Sequence, residues 1–141
     1  MHSSSYRRGV TYSIAQAAER SGLSIDTLRY YERIGLVDPP ARDSGGRRLY
    51  SDNDLAWLGF LTKLRTTGMP IRLMREYAQL RHKGSATAGR RKQILFEHRA
   101  DVRQRIAELH ACLEVLDCKI TNYAEIEAKM AGQQLIQEAS A

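Results

Sequence analysis

Basic and phenolic side chains that could bind phosphate groups cluster at the end of the segment 38–51, DPPARDSGGRRLYS. If RRLY forms a strand, its two-residue period places Arg48 and Tyr50 on one face and Leu49 on the other. An arginine beside a phenol suits phosphate contact, because both side chains donate hydrogen bonds to phosphate oxygens. A surface hairpin without any ligand is the alternative interpretation of this segment on its own.

The same segment contains the residues that would shape such a hairpin. Pro39 and Pro40 forbid a helix and favour extended backbone, and DSGG supplies turn residues. We therefore predict a small β-hairpin wing at about residues 38–50.

Two short helices precede the wing. Ser13 starts a capping-box pattern, and Gly22 ends the helix that follows it. Ser24 can cap a second helix over residues 25–34. Two short helices joined by a glycine-containing turn predict a helix-turn-helix at about 13–34, whose second helix enters the major groove of DNA.

The second helix has one apolar face. Ile25 and Leu28 share that face, and we assign Tyr31 to packing with them. Three side chains lie off the apolar face: Arg29, Tyr30 and Arg33.

A helix pair is predicted at about 51–83. Ser51 can cap a helix that reaches about Thr67, with leucines at helical spacing. Gly68 suits the end of that helix, and Pro70 suits the first turn of the next.

Residues 84–89, GSATAG, are predicted to be a linker, and apolar residues spaced as in a coiled coil follow it. A helix over 90–130 would be on the order of 60 Å long, which exceeds any core that this small head could offer. A homodimer covers the stripe most economically, since the tail 131–141 offers at most one short turn for folding back. The predicted interface comprises Val102, Ile106, Leu109, Leu113, Leu116, Ile120 and Tyr123.

The charge is unevenly distributed. Residues 1–92 hold 17 Lys and Arg against 8 Asp and Glu, a net charge of +9, whereas residues 93–141 hold 5 against 8, a net charge of −3. This asymmetry is typical of a nucleic-acid-binding head with a separate tail. A basic surface that serves only solubility is the alternative.

The sequence also argues against a membrane protein and against a secreted protein. No apolar run approaches the ~18 residues of a membrane span. The start MHSSSYRRGV lacks the apolar core of a secretion signal, so we predict that residues 1–11 are a flexible basic leader on a cytoplasmic protein. Cys112 and Cys118 point in different directions on a helix, so no disulfide between them is expected.

In this order, the motifs LRYYERIGL, RRLYSDNDL and TGMPI resemble signatures of the MerR family of bacterial transcriptional regulators. EHRADVRQRI and LDCKI resemble the subgroup with a short C-terminus that lacks a large ligand-binding domain. The fold implied is mostly α-helical: a winged helix-turn-helix head, a helix pair and a long coiled-coil dimerisation helix. The resemblance covers nearly the whole chain.

The resemblance implies an antiparallel homodimer on a palindromic operator, inside a promoter whose polymerase hexamers are spaced too far apart. Such proteins bend and untwist double-stranded DNA, so that RNA polymerase can reach both hexamers. Bending a site of this size costs of order 1–6 kcal/mol, which additional phosphate contacts could offset.

Roles for individual residues follow from their positions in the family's motifs. Thr27 and Arg29 are expected to contact base edges, because arginine can bond guanine with two donors. Tyr30 and Arg33 are expected to hold phosphates, with a solvated role for Arg33 and Arg42 as the alternative. The wing residues expected to grip the DNA backbone are Arg42, Arg47, Arg48 and Tyr50.

The sequence indicates least about the signal to which such a regulator would respond. Metal-sensing relatives place cysteines at positions where this chain has none, and His82, His98 and His110 form no cluster, so neither a metal nor another cofactor is expected. Burial is the default for Cys112, whereas Cys118 lies off the seam and is a minority hypothesis for electrophile sensing.

A small-molecule inducer is another hypothesis, with Tyr77, Phe96 and Tyr123 as candidate lining, although core packing is the stronger interpretation of these rings.

Three rival classes remain open. An architectural DNA-bending protein, such as an excisionase-like or partition factor, would share the winged head. A coiled-coil adaptor could use the basic surface to bind an acidic protein. An enzyme is least favoured, because the sequence contains no nucleophile–base pair, phosphate loop or metal motif.

Overall fold

The computed structural model describes residues 9–140 and divides the chain into two compact units, one ending at His98 and one beginning at Arg99. We call residues 9–98 the head and residues 99–140 the tail. The elements in chain order are β1 (Thr11–Tyr12), α1 (Ile14–Ser21), α2 (Ile25–Arg33), β2 (Ala41–Arg42), β3 (Arg48–Ser51), α3 (Asp52–Thr66), α4 (Ile71–His82), a 3₁₀ turn (Ser85–Thr87) and α5 (Ala88–Ala139). The mostly helical winged fold predicted from the sequence is confirmed.

Side chains start the helices at the predicted places. The Ser13 hydroxyl accepts a hydrogen bond from the backbone of Gln16, whose side chain accepts one from the backbone of Ser13. Ser24 caps α2 through the backbone N–H of Thr27. Ser51 and Asp54 form a second capping box at the start of α3. Each cap satisfies a backbone donor that the first turn of a helix leaves unpaired.

The wing belongs to a three-stranded antiparallel sheet with the order β1-β3-β2. The sequence predicted only two strands and assigned residues 1–11 to a leader, whereas Thr11 pairs with Ser51 in β1. A strand of two residues is too short to show a hydrophobic period, so no sequence signal marked it. The rest of the predicted leader, residues 1–8, lies outside the described residues.

The core of the head is formed by side chains from every helix and from the sheet. It contains Leu28 and Tyr31 of α2, and the prediction that Tyr31 packs is confirmed. The first turns of α5 also contribute, because Ile94 is buried and Leu95 packs against the same cluster. Leu95 therefore belongs to the head.

Helix α5 is longer than predicted and begins earlier. It starts at Ala88 inside the predicted linker 84–89 and continues through Gly132 to Ala139, so residues 131–139 of the predicted tail 131–141 are helical. A glycine inside a helix costs only about 1 kcal/mol, which a long helix can absorb.

Within the tail, the predicted interface residues from Ile106 to Tyr123 are each 49–66% exposed in the single chain, and Val102 is half-buried. No helix in residues 9–140 combines the length and apolar character needed to cross a membrane.

Candidate nucleic-acid interface

Helix α2 buries one face and presents the other to solvent. Leu28 and Tyr31 are buried, whereas Arg29 and Tyr30 are exposed. Arg33 is also exposed, and its guanidinium carbon lies 5.5 Å from the centroid of the Tyr30 ring. The helical period therefore places these three side chains on one accessible surface, as the sequence predicted.

Two further contacts shape the start of this surface. The Ser24 hydroxyl donates to the Thr27 hydroxyl over 2.8 Å, so Thr27 is held in the first turn of α2. The side chain of Arg29 is 55% exposed and lies 4.0 Å from the carboxylate of Asp26, itself 96% exposed. A pair this exposed contributes little to stability, so Arg29 can exchange Asp26 for another acceptor.

Glu32 joins the wing to α2. Its Oε2 accepts a hydrogen bond from Nε of Arg48 on β3 over 2.7 Å, and its Oε1 lies 4.0 Å from Arg42 of β2. The Glu32 and Arg48 side chains are only 16% and 24% exposed, so this ion pair is partly shielded from water. Arg48 is thus bound to Glu32, where the sequence reasoning expected it to be available for phosphate.

The importance of Glu32 was missed in the sequence analysis. A carboxylate one residue before Arg33, in a basic stretch, was the available signal. Its partner could not be identified, because Arg48 is 16 residues away and only the folded sheet brings it close.

The wing turn is organised by Asp43. One carboxylate oxygen of Asp43 accepts hydrogen bonds from the backbone N–H groups of Gly45 and Arg47, each over 2.9 Å. Gly46 has φ +77°, a left-handed conformation that favours glycine. Arg42 donates to the Gly46 carbonyl over 2.7 Å, and the Arg47 side chain is exposed. The turn therefore presents two arginines on a fixed backbone.

The structure corrects the role that the sequence predicted for Tyr50. The sequence placed it beside Arg48 as a phosphate ligand, but Tyr50 is 1% exposed and belongs to the core of the head. Burial raises the pKa of its phenol above the ordinary value. The alternation along β3 was predicted correctly, but the face that carries Tyr50 turns toward the helices, so the prediction that Tyr50 grips DNA is wrong.

In residues 9–140, no group of three or more His, Cys, Asp or Glu side chains is placed to hold a metal ion. Cys112 and Cys118 are free thiols and exposed in the single chain, so the burial expected for Cys112 is not provided by its own chain. Electrophile sensing by Cys118 stays a prediction.

The structure locates each of the three aromatics that were predicted to line a ligand site. Tyr77 packs beside Trp57 and Phe60 in the head, whereas Phe96 lines a depression with Gly89, Lys92 and Gln93. Tyr123 belongs to the tail.

A helix-turn-helix followed by a sheet wing and a helix pair defines a winged helix-turn-helix protein. Two family models match the chain: MerR HTH family regulatory protein over residues 12–80, and MerR, DNA binding over residues 55–118. The chain belongs to the MerR family of regulators.

Curated relatives agree with this assignment. An uncharacterized HTH-type transcriptional regulator of Haemophilus influenzae is 35% identical over 119 residues, covering 84% of this chain and 88% of the relative. The HTH-type transcriptional regulator AdhR of Bacillus subtilis is 43% identical over 96 residues, covering 68% and 66% of the two chains.

Solved structures are similar as well. HiNmlR, a MerR family regulator lacking the sensor domain, was crystallised bound to promoter DNA. It is 35% identical with a TM-score of 0.77, covering 84% of this chain and 94% of that one. A protein from Listeria monocytogenes, described as a MerR family transcriptional regulator, is 36% identical with a TM-score of 0.81, covering 90% and 98%.

Proposed function

We propose that this chain is a DNA-binding transcriptional regulator of the MerR type, which binds a palindromic operator as a homodimer and distorts the DNA to control transcription. The observation that carries the proposal is the surface of α2, which exposes Arg29, Tyr30 and Arg33, while Glu32 of the same helix is joined to the wing. A similar protein, HiNmlR, was crystallised on promoter DNA. The relatives described above are transcriptional regulators, which favours a regulator over an architectural DNA-bending protein, an adaptor or an enzyme.

The contacts divide into two groups under this proposal. Thr27 and Arg29 lie in the first half of α2, the part of a recognition helix that usually reaches base edges. Tyr30 and Arg33 on α2, with Arg42 and Arg47 on the wing, hold phosphates. Arg48 positions the wing through Glu32, and Tyr50 supports it from the core.

Dimerisation through α5 completes the proposal. The apolar stripe of the tail is exposed in the single chain, and an identical stripe on a second copy would cover it. Two heads held by such a dimer can strain one duplex between them. RNA polymerase then acts at the same promoter, and we infer a cytoplasmic location because the promoter DNA lies there.

The test is DNA binding by the full chain, measured by fluorescence anisotropy on genomic fragments selected for binding. Arg29→Ala should weaken binding by about 1–3 kcal/mol and relax the preference for one base pair, since a bidentate contact to guanine would be lost. Arg103→Ala removes the same charge from the tail and serves as the matched control. Its affinity should stay near that of the wild type.

Two outcomes contradict the proposal. One is an equal loss of affinity in both variants, because it would mean that only total charge matters. The other is the absence of any preferred genomic fragment. Bending is measured separately by the mobility of fragments that carry the operator at different positions.

A further inference from the structure

A groove on the head is lined by aromatic rings and arginines that the proposed DNA contacts do not use. It has a volume of about 590 Å³, within the range of small-molecule sites. Helices α3 and α4 and the first turns of α5 form its walls. The residues that line it include Trp57, Phe60, Tyr77, Arg81, Arg91 and Leu95.

The three rings of the groove form one cluster. Trp57 and Tyr77 are stacked, with centroids 6.0 Å apart and an angle of 17° between their planes. Phe60 lies 5.8 Å from Trp57 and 5.7 Å from Tyr77. All three rings are half-buried, so they retain exposed area on which a flat aromatic ligand could stack.

The polar groups of the groove favour an anion. The guanidinium of Arg81 lies 4.2 Å from the centroid of the Trp57 ring. Arg91 is held by hydrogen bonds of 3.1 Å to the Thr87 hydroxyl and to the Gly84 carbonyl. In residues 9–140, no carboxylate lies within ion-pair distance of Arg81 or Arg91, and none lines the groove. Two arginines that line one groove without a carboxylate partner suit an anionic ligand such as a carboxylate, whose two oxygens can each accept a hydrogen bond.

One wall of the groove is connected by hydrogen bonds to α2, the helix that is proposed to contact base edges. The indole N–H of Trp57 donates to the Leu36 carbonyl over 3.0 Å, and the Leu36 N–H donates to the Tyr31 carbonyl in the last turns of α2. A ligand stacked on Trp57 therefore contacts the residue that fixes the end of α2 and the start of the wing.

We propose that this groove binds small aromatic carboxylates, and that its occupancy alters operator binding. The second half of this inference rests on the proposed function, whereas ligand binding itself does not. Binding of the ligand is therefore measured without DNA.

Trp57 is the sole tryptophan of the chain, so its fluorescence reports on this groove alone. Naphthoate is titrated into the full-length dimer while tryptophan emission and heat of binding are recorded. The neutral analogue naphthamide and the non-aromatic cyclohexanecarboxylate are titrated in parallel. Naphthoate should change the Trp57 emission and bind at least tenfold more tightly than either analogue, because only naphthoate combines a ring with a charge.

Arg91→Gln should weaken naphthoate binding about tenfold, since it removes a charged donor from the groove. Arg90→Gln is the matched control: it removes the same charge one residue away, where Arg90 pairs with Glu76 over 2.9 Å outside the groove. Its naphthoate affinity should equal that of the wild type. Circular dichroism confirms that both variants fold.

Three results would overturn the inference: no binding of naphthoate, equal binding of naphthamide, or equal losses in the two variants. Trp57 emission that is unchanged by naphthoate but changes as the dimer is diluted would mean that a second copy of the chain occupies the groove. That result would also overturn the inference. Operator binding measured without ligand tests the proposed function separately, so the two failures are distinguishable.

Discussion

Replacing Glu32 with glutamine tests whether the ion pair to Arg48 positions the wing. The variant keeps the size of the side chain and an oxygen that can accept from Arg48 Nε, but it removes the charge. Exposed ion pairs contribute roughly 0–1 kcal/mol, and breaking a buried pair costs about 3–5 kcal/mol. Because the two side chains are 16% and 24% exposed, the expected loss of unfolding free energy is about 1–2 kcal/mol.

DNA binding by the same variant should change in two opposing ways. Removing a negative charge beside the exposed arginines of α2 raises the affinity for any DNA, because the protein then attracts phosphates more strongly. Loosening the wing lowers the additional affinity for the operator. The ratio of operator affinity to non-specific affinity should therefore fall, by about five- to thirtyfold if the whole loss of about 1–2 kcal/mol appears in binding.

Asp26→Asn is the matched control, since it removes the same charge from the same helix. Asp26 lies 4.0 Å from Arg29 and is 96% exposed, so its loss should leave stability within about 0.5 kcal/mol and the affinity ratio unchanged. Stability is measured by urea unfolding at one fixed protein concentration, because dimerisation makes it concentration-dependent.

A double-mutant cycle with Arg48→Gln isolates the energy of the pair. If the cycle gives no coupling energy, or if Glu32→Gln and Asp26→Asn change the affinity ratio equally, then Glu32 does not position the wing and the reasoning is refuted.

Two other predictions concern the core and the dimer. Burial raises the pKa of Tyr50, so the folded protein holds the phenol proton more tightly than the unfolded chain does. The contribution of this proton to the free energy of unfolding is complete below the ordinary phenol pKa of about 10. It is lost as the pH rises through the higher pKa of the folded state. Urea unfolding across that alkaline range should show a smaller decline for Tyr50→Phe than for the wild type, and equal declines would contradict the assignment. Leu113→Glu places a charge in the predicted seam and should shift the chain toward monomer in analytical ultracentrifugation. Val115→Glu, also exposed but off the seam, should leave the dimer intact, and dimers of equal strength in both variants would remove Leu113 from the interface.

The local pattern of the sequence was sufficient for most of the secondary structure. Serines with a partner three residues later identified the starts of α1 and α3, because a capping box depends only on neighbouring residues. The helical period likewise separated the buried face of α2 from Arg29 and Tyr30. Family motifs then supplied the class of function, since their order along the chain is itself sequence information.

Only the tertiary structure decided which of those side chains are available. Arg48 and Tyr50 share a strand face by period, yet one is bound to Glu32 and the other is buried in the core. The strand β1 depends on pairing with β3 across about 40 residues, and the groove around Trp57 forms only where three helices meet. Such contacts join residues distant in sequence, so no local period or spacing encodes them, and they arise from the packing of the whole head.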